Sequence, residues 1–244
     1  MILSRQNSLI KLIRSLSDKK NRDRENLYIV DGVKMVNEAV LNGCEFYRVI
    51  ATAECMGKIS SNIGVEIEEV SKEIMEYASN DVSPQGVIAV CVKPKNEITV
   101  PSGRCIFLDG VSDPANVGAI IRTASASGYN DVYLGDSADC YSPKSVRASM
   151  SGIFKVKTHQ GAKKDLLEKI NLPFIVADMD GINVFEGKFP NDFCLVIGNE
   201  ARGVSEDLIK RAEYVVKIPM QNGMESLNAS VSAGILMYAL TKNS

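Results

Sequence analysis

The sequence predicts an α/β protein with two domains, and three features carry that prediction. Helix-like and strand-like segments alternate along the 244 residues, which favours sheets with helices packed on their faces. The stretch KPKNEITVPSG (93–103) is polar, contains two prolines and a glycine, and has no periodicity, as is typical of a linker. Beyond it the strand-like segments are almost continuously apolar, as in a parallel sheet buried on both faces. We therefore expect domains over 1–95 and 104–244, joined by a linker at 96–103.

The first domain is predicted from short segments with clear periodicity. A helical stripe of leucine and isoleucine over 9–16 is followed by a strand at 27–30 and a helix at 33–43, which Gly43 closes. Further strands are predicted at 47–51, 65–70 and 86–92. A small α/β domain with its own sheet accounts for these segments.

The second domain is predicted to contain more strands and a longer final helix. Strands are expected at 104–110, 131–136, 154–158, 173–178 and 193–200, with helices around 116–127, 143–150 and 161–170. A further strand begins at 216, and the last helix is predicted over 226–240. The apolar residues of that helix face more than one direction, which predicts burial on several sides, in the core or against another subunit.

Composition is that of a soluble globular protein, with 45% hydrophobic and 24% charged residues. No segment has the pattern of a signal peptide or a membrane span, so we expect a cytoplasmic protein. The six cysteines are scattered without a CxxC pair, which disfavours zinc and indicates reduced thiols. No bound metal is expected.

Positive charge is concentrated near the amino terminus, although the whole chain carries a net charge of −2. Residues 1–30 contain seven lysines and arginines against three acidic residues. Such a cluster is either a solvated helix face or a surface that contacts nucleic-acid phosphates. The candidate phosphate contacts are Lys19, Lys20, Arg22 and Arg24.

Three loops of the second domain follow predicted strands, which is where open parallel sheets bind ligands. They lie in the segments 109–128, 193–209 and 216–240, and their polar candidates are Asn116, Arg122, Glu200, Ser226 and Asn228. Taken one at a time, these residues have ordinary interpretations as helix caps or surface charges. Their occurrence together is what requires an explanation.

Common nucleotide-binding and acid–base sites are disfavoured. Neither GxGxxG nor GxxxxGK[ST] occurs, which argues against a dinucleotide-dependent oxidoreductase and a P-loop enzyme. The single histidine, His159, falls in KTHQGAKK, whose composition predicts a solvent-facing turn. A histidine base is therefore not expected.

Taken together, the three loops resemble the motifs of the SpoU family of the SPOUT superfamily, which methylates ribose 2′-hydroxyls of RNA with S-adenosylmethionine. DPANVGAIIRTASASG resembles the first motif, LVIGNEARGVS the second and IPMQNGMESLNAS the third. KKNRDRENLYIVDGVKMVNEAV and PQGVIAV are similar to the RNA-binding domain of the family's ribosomal-RNA branch. The resemblance covers nearly the whole chain.

The resemblance implies a SPOUT methyltransferase domain with a deep trefoil knot, preceded by a substrate-binding domain. It also implies a homodimer that binds S-adenosylmethionine and RNA, with ribosomal RNA as the expected substrate. From the matching positions of the family's motifs, the cofactor is expected to lie against Gly198, Ile218 and Leu227. The implied catalytic set is Arg122, Asn116, Glu200, Ser226 and Asn228, in which Arg122 activates the ribose hydroxyl as a base or as a charge stabiliser.

Two alternatives stay open beside this expectation, namely a transfer-RNA 2′-O-methyltransferase and a non-catalytic RNA-binding module for ribosome assembly. The complete catalytic set favours the enzyme. Three positions depart from the family pattern: Asp31 replaces Glu, Ser125 replaces a frequent Asp, and the motif glycine falls at Gly223, after Asn222. Asparagine tolerates a left-handed backbone, so the third loop is expected to keep its shape.

Overall fold

The computed structural model describes residues 1–79 and 83–242 and contains two β-sheets covered by helices. The α/β class predicted from the sequence is confirmed. Among the described residues, no helix is both long enough and apolar enough to cross a membrane.

The first sheet is mixed and has four strands in the order β1-β4-β2-β3. The strands are β1 (Leu27–Asp31), β2 (Phe46–Ala51), β3 (Ile67–Glu69) and β4 (Val87–Val92). The helices are α1 (Ser8–Ser15), α2 (Lys19–Glu25), α3 (Val33–Leu41), α4 (Ala53–Met56) and α5 (Lys72–Ala78), with a 3-10 turn at Ser61–Ile63. Strand β4 is continuously apolar, which suits a position inside the sheet. Its two neighbours, β1 and β2, both pair with it antiparallel.

The second sheet is entirely parallel and has six strands in the order β10-β8-β9-β5-β6-β7. The strands are β5 (Cys105–Asp109), β6 (Asp131–Gly135), β7 (Lys157–Gly161), β8 (Phe174–Asn183), β9 (Cys194–Gly198) and β10 (Tyr214–Lys217). The helices are α6 (Pro114–Ser127), α7 (Pro143–Ser149), α8 (Lys163–Leu167), α9 (Glu206–Arg211) and α10 (Ala229–Lys242), with a 3-10 segment at Met150–Phe154. Their alternation with the strands supplies the crossovers that a parallel sheet needs. The trefoil knot stays a prediction.

The strand order creates a crevice at the centre of this sheet. The chain winds from β5 outward to β6 and β7, then crosses to β8, β9 and β10 on the other side. Strands β5 and β9 are therefore neighbours, with Asp109 in register with Gly198. Loops that leave adjacent strands at such a reversal diverge and leave room for a ligand, so the strand order itself locates the site.

The two sheets are joined by a shared core and by a buried ion pair. The rings of Tyr28 on β1 and Tyr141 before α7 have centroids 5.0 Å apart, within one continuous apolar cluster. The guanidinium of Arg22 on α2 donates to Asp139 through Nε (3.0 Å) and Nη2 (2.7 Å). Its Nη1 donates to the carbonyls of Leu16 and Ser17, both at 2.7 Å. Arg22 is only 2% exposed, so its predicted contact with RNA phosphate does not fit this structure.

Two further expectations need correction. His159 is not in a solvent-facing turn but in the middle of β7, 2% exposed, with its ring stacked on Tyr133 and its Nε2 2.9 Å from Asp131 Oδ1. The last helix begins at Ala229 rather than at 226. The preceding residues instead continue the loop that reaches the crevice. Residues Asn222 (φ 56°) and Gly223 (φ 72°) are both left-handed there, as expected for an asparagine that tolerates this backbone.

Candidate active site

The site is built from three loops that leave the carboxyl ends of β5, β9 and β10. The first loop runs from Asp109 into α6, the second from Gly198 to Ser205, and the third from Ile218 to Asn228. Side chains from all three meet beside the crevice. No group of three or more metal-ligating side chains occurs within the described part of the chain.

Asn116 joins the other two loops through its amide group. Its Nδ2 donates to Glu200 Oε1 at 2.9 Å, and its Oδ1 accepts from Asn228 Nδ2 at 3.0 Å. The helix start fixes Asn116, because the Asp113 side chain accepts from the Ala115 N–H and Pro114 occupies the first turn. The side chain is 7% exposed and bound on both sides. Asn116, Glu200 and Asn228 therefore form one network across three loops.

Glu200 holds the first loop against the second. It accepts hydrogen bonds from the Ser112 N–H (3.0 Å), the Ser112 hydroxyl (2.9 Å) and the Asp113 N–H (3.2 Å), besides that from Asn116. Partial burial would raise the pKa of this carboxyl, but the donors of Asn116, Ser112 and Asp113 outweigh it and lower the pKa to about 2. The group is therefore an ionised anchor at neutral pH and not a proton carrier.

The second loop is clamped at both ends. Asn199 and Gly203 exchange two backbone hydrogen bonds, and Asn199 Nδ2 donates to the Gly110 carbonyl at 2.8 Å. At the far end Asp109 accepts from the Ser205 N–H (2.9 Å) and hydroxyl (2.6 Å), and Lys163 lies 3.1 Å from the same carboxylate. Asp109 and Lys163 were not candidates from the sequence, although a polar residue ending a buried strand is the signal that could have found Asp109.

Gly198 is required by close backbone approach. A Cβ at this position would lie 2.2 Å from backbone atoms of Gly203 and Val204. The chain can therefore fold back directly after β9 only with glycine here. Gly198 shapes the second loop, and it is not part of the cavity lining described next.

A cavity of about 490 Å³ lies between β8, β10, the third loop and α10, a size typical of small-molecule sites. Ile218, Ser226 and Leu227, three of the predicted residues, line it. Its walls also include Val216 and Leu236, and the full lining is Ala177, Asp178, Met179, Val216, Lys217, Ile218, Pro219, Met220, Met224, Glu225, Ser226, Leu227, Ser232 and Leu236. Asn228 marks the helix start, since its Oδ1 accepts from the Ser230 N–H at 2.9 Å.

Arg122 stands apart from this network. It lies six residues after Asn116 on α6, roughly 9 Å further along the helix axis, and its side chain is exposed. Its backbone packs closely against Gly152, where a Cβ would come within 2.9 Å of the Arg122 Cα. Within residues 1–79 and 83–242, the guanidinium makes no hydrogen bond or ion pair. All of its donors are thus free for a substrate.

The other basic candidates lie on the surface of α2. Lys19, Lys20 and Arg24 are exposed, and two of them are already paired: Lys19 with Asp23 at 2.5 Å and Arg24 with Glu25 at 2.8 Å. Exposed pairs of this kind are weak and can exchange a partner for phosphate. Of the four predicted residues, Arg22 alone is buried.

Fold and site together define an α/β protein whose small-molecule cavity adjoins a polar network at the reversal point of a parallel sheet. A profile of the SpoU rRNA Methylase family matches residues 103–238, and one of the MRM3-like substrate binding domain matches residues 7–89. The chain belongs to the SpoU rRNA methylase family, as the three motifs indicated.

Individual relatives match along the full length. The chain is 27% identical to the 23S rRNA (guanosine(2553)-2'-O)-methyltransferase RlmP of Bacillus subtilis (strain 168), with 98% of both chains covered. A solved structure from Porphyromonas gingivalis, assigned to the TrmH family of RNA methyltransferases, superposes with a TM-score of 0.88 at 32% identity over 100% of both chains. The AdoMet-bound rRNA methyltransferase from Sinorhizobium meliloti shares the fold, with a TM-score of 0.89 at 24% identity over 99% of this chain and 97% of that one.

Proposed function

We propose that this protein transfers a methyl group from S-adenosylmethionine to a ribose 2′-hydroxyl of ribosomal RNA. The observation that carries the proposal is the Asn116–Glu200–Asn228 network, which ties the three motif loops together beside a 490 Å³ cavity. The relative from Bacillus subtilis, matched from end to end, acts on 23S ribosomal RNA, which supports that substrate.

The residues of the cavity suit the cofactor. Ile218, Leu227 and Leu236 supply apolar walls of the kind that an adenine ring requires, and backbone groups of the third loop lie beside them. Asp178 and Glu225 also line the cavity and offer carboxylates to a cationic ligand. When bound, S-adenosylmethionine supplies an activated methyl group on a sulfonium. Gly198 contributes indirectly, by holding the second loop in place.

In this proposal Arg122 activates the ribose hydroxyl by its charge. A guanidinium stays protonated in proteins, so it stabilises the developing alkoxide and a neighbouring phosphate while solvent takes the proton. Its exposed position and free donors support a role toward a large substrate that approaches from outside. Asn116, Glu200 and Asn228 hold the loops in register, and Ser226 lies at the cavity wall as a polar contact.

The domain boundaries, the dimer and the location complete the proposal. Residues 1–95 would bind RNA through Lys19, Lys20 and Arg24, residues 96–103 would be the linker, and residues 104–244 would carry out methyl transfer. A homodimer through α10 fits its exposed apolar residues, Val231 at 49% and Tyr238 at 55%. Ribosomal RNA as substrate and six free cysteines are consistent with the cytoplasm.

Two experiments test the function. Calorimetry should detect binding of S-adenosylmethionine and of its demethylated product without added metal, but no binding of NAD⁺. If neither S-adenosylmethionine nor its demethylated product binds, the methyltransferase assignment is wrong. Ribose-methylation mapping on ribosomal and transfer RNA, from cells with and without the gene, should show one ribosomal position that depends on the gene. A dependent position in transfer RNA would select the alternative substrate, and binding without any dependent position would favour the assembly module.

A further inference from the structure

Two arginines of the first domain stack on one tyrosine at the surface. The guanidinium carbons of Arg5 and Arg14 lie 4.7 Å and 4.3 Å from the centroid of the Tyr77 ring. The Arg14 guanidinium also donates a hydrogen bond to the Tyr77 carbonyl. We call these three residues the Arg–Tyr cluster.

The cluster is held by the packing of α1 on α5. Ile10 and Ile13 of α1 are fully buried, and Ile74 and Met75 of α5 belong to the same apolar core. This packing places Arg14 and Tyr77 side by side without help from a ligand. A guanidinium that rests on a ring keeps its N–H edge directed outward and loses less rotamer freedom when it binds.

The positive charge of the cluster is not neutralised by the protein. Arg5 and Arg14 are exposed, and within the described residues neither has a carboxylate oxygen within 4.0 Å, although Glu73 and Glu76 lie on α5. Lys11, on α1 between them in sequence, is exposed and likewise unpaired there. The arginines of the Arg–Tyr cluster therefore have no direct carboxylate partner among the described residues, whereas three of the four basic side chains of α2 are paired or buried.

The α1–α5 layer packs on a core of its own. The core beneath α1 and α5 consists only of residues between 2 and 90. The opposite face of the first sheet, with Met35 and Val36 of α3, packs into the core shared with the second sheet. Neither α1 nor α5 contributes a residue to the cavity or to the Asn116–Glu200–Asn228 network, so the Arg–Tyr cluster lies outside both.

We propose that the Arg–Tyr cluster is a phosphate-contact surface that anchors ribosomal RNA outside the active site. The proposal rests on the proposed function for its choice of RNA. A planar guanidinium donates two parallel hydrogen bonds to phosphate oxygens, and arginines on an aromatic ring are suited to single-stranded segments, whose bases can stack nearby. An anchor of this kind raises affinity for RNA without changing the rate of methyl transfer.

The test uses the full chain and deproteinised large-subunit ribosomal RNA as probe. In Arg5→Gln/Arg14→Gln we expect the KM for RNA to rise about tenfold, and the slope of log affinity against log salt to fall by about 1 for each phosphate that the variant no longer binds. The kcat at saturating RNA and the affinity for S-adenosylmethionine should be unchanged. The matched control is Lys34→Gln/Lys58→Gln, which removes the same charge from exposed positions on the opposite layer and should change the KM less than twofold.

A second pair of variants tests the stacking. Tyr77→Phe keeps the ring and should behave as wild type, whereas Tyr77→Leu should reproduce part of the rise in KM. Equal effects of the two double variants would mean that only overall charge matters and would overturn the proposal, as would an unchanged KM in Arg5→Gln/Arg14→Gln. If the wild type methylates no RNA, the proposed function fails, and the same binding measurements still decide whether the cluster anchors RNA.

Discussion

At the scale of single residues, the site is organised by polar groups that hold charge in place rather than move protons. The Glu200 carboxylate accepts four hydrogen bonds from three residues of the first loop, so its negative charge is strongly stabilised. Arg122 is the opposite case, an exposed cation whose donors have no partner in the described chain. One group maintains the geometry of the site, and the other is available to substrate.

The Glu200 anchor should make stability depend on pH. Its pKa is lowered from 4.5 to about 2 in the folded protein, so its stabilisation is present above about 4.5 and lost as the pH falls toward 2. Because the side chain is exposed, the expected contribution after solvent screening is about 1–2 kcal/mol. Glu200→Gln should lower the free energy of unfolding by that amount at pH 7 and by less at pH 3. Urea denaturation at both pH values measures this, with Glu206→Gln on α9 as the exposed control, and an equal loss at both would contradict it.

Arg122→Ala should slow methyl transfer while leaving cofactor binding nearly intact. Loss of one preorganised charge-stabilising donor typically costs about 100- to 1000-fold in rate. The residue does not line the cavity, and its exposed side chain contributes little to folding. Arg122→Lys should restore little activity, because the point charge of an ammonium group does not reproduce the planar set of N–H donors of a guanidinium. Single-turnover methylation at saturating cofactor, with calorimetry alongside, measures both effects, and near wild-type turnover would exclude this role.

At the scale of elements, the sequence predicted where β5, β6, β8 and β9 begin, because parallel strands are apolar on both faces, but it placed β7 at 154–158 instead of Lys157–Gly161. It placed the start of the last helix at 226, since the helical apolar spacing extends back to Leu227, which lines the cavity instead. It also placed His159 in a turn, because the local sequence around this residue is polar. The partners that bury its ring, Asp131 and Tyr133, come from β6 and depend on how the two strands pair. Asn116, Glu200 and Asn228 were predicted from the motifs, but their partners depend on which loops meet in space.

The clamp on the second loop should be sensitive to one lysine on α8. The Lys163 side chain is 20% exposed and pairs with Asp109, whose carboxylate is 9% exposed and also holds Ser205. Lys163→Met leaves that carboxylate without its cation, which should lower the free energy of unfolding by about 1–3 kcal/mol. Loosening of the Glu200 loop should reduce turnover as well.

The neighbouring lysine supplies the control for this prediction. Lys164 is 84% exposed and, among the described residues, pairs only with Glu168 at 3.9 Å. Lys164→Met should therefore change neither the free energy of unfolding nor the turnover. Denaturation and single-turnover rates of the two variants, measured side by side, decide the matter. Equal behaviour of both variants would show that Lys163 does not hold the loop.

At the scale of the whole molecule, the two sheets act as one unit. The Arg22–Asp139 pair is nearly fully buried, and loss of either partner would leave an uncompensated charge in the interior. Tyr28 and Tyr141 add an apolar contact at the same junction. The first domain therefore presents its outer layer at a fixed orientation to the crevice, as an RNA-anchoring role requires. The sequence could not predict this, because a buried arginine and a surface arginine look alike in a basic segment.

The remaining apolar surface of α10 predicts association of two chains. Val231 and Tyr238 are two helical turns apart on one face, 49% and 55% exposed, while Leu236 and Met237 face the core. Burying such residues contributes roughly 25 cal/mol for each Å² removed from water. We expect a homodimer at micromolar concentration, measured by light scattering, and expect Val231→Glu/Tyr238→Glu to be a monomer with its far-UV circular dichroism unchanged. The control is Leu41→Glu, at an 80% exposed apolar position on α3, which should stay dimeric. A monomeric wild type, or a double variant that remains a dimer, would show that α10 is not the interface.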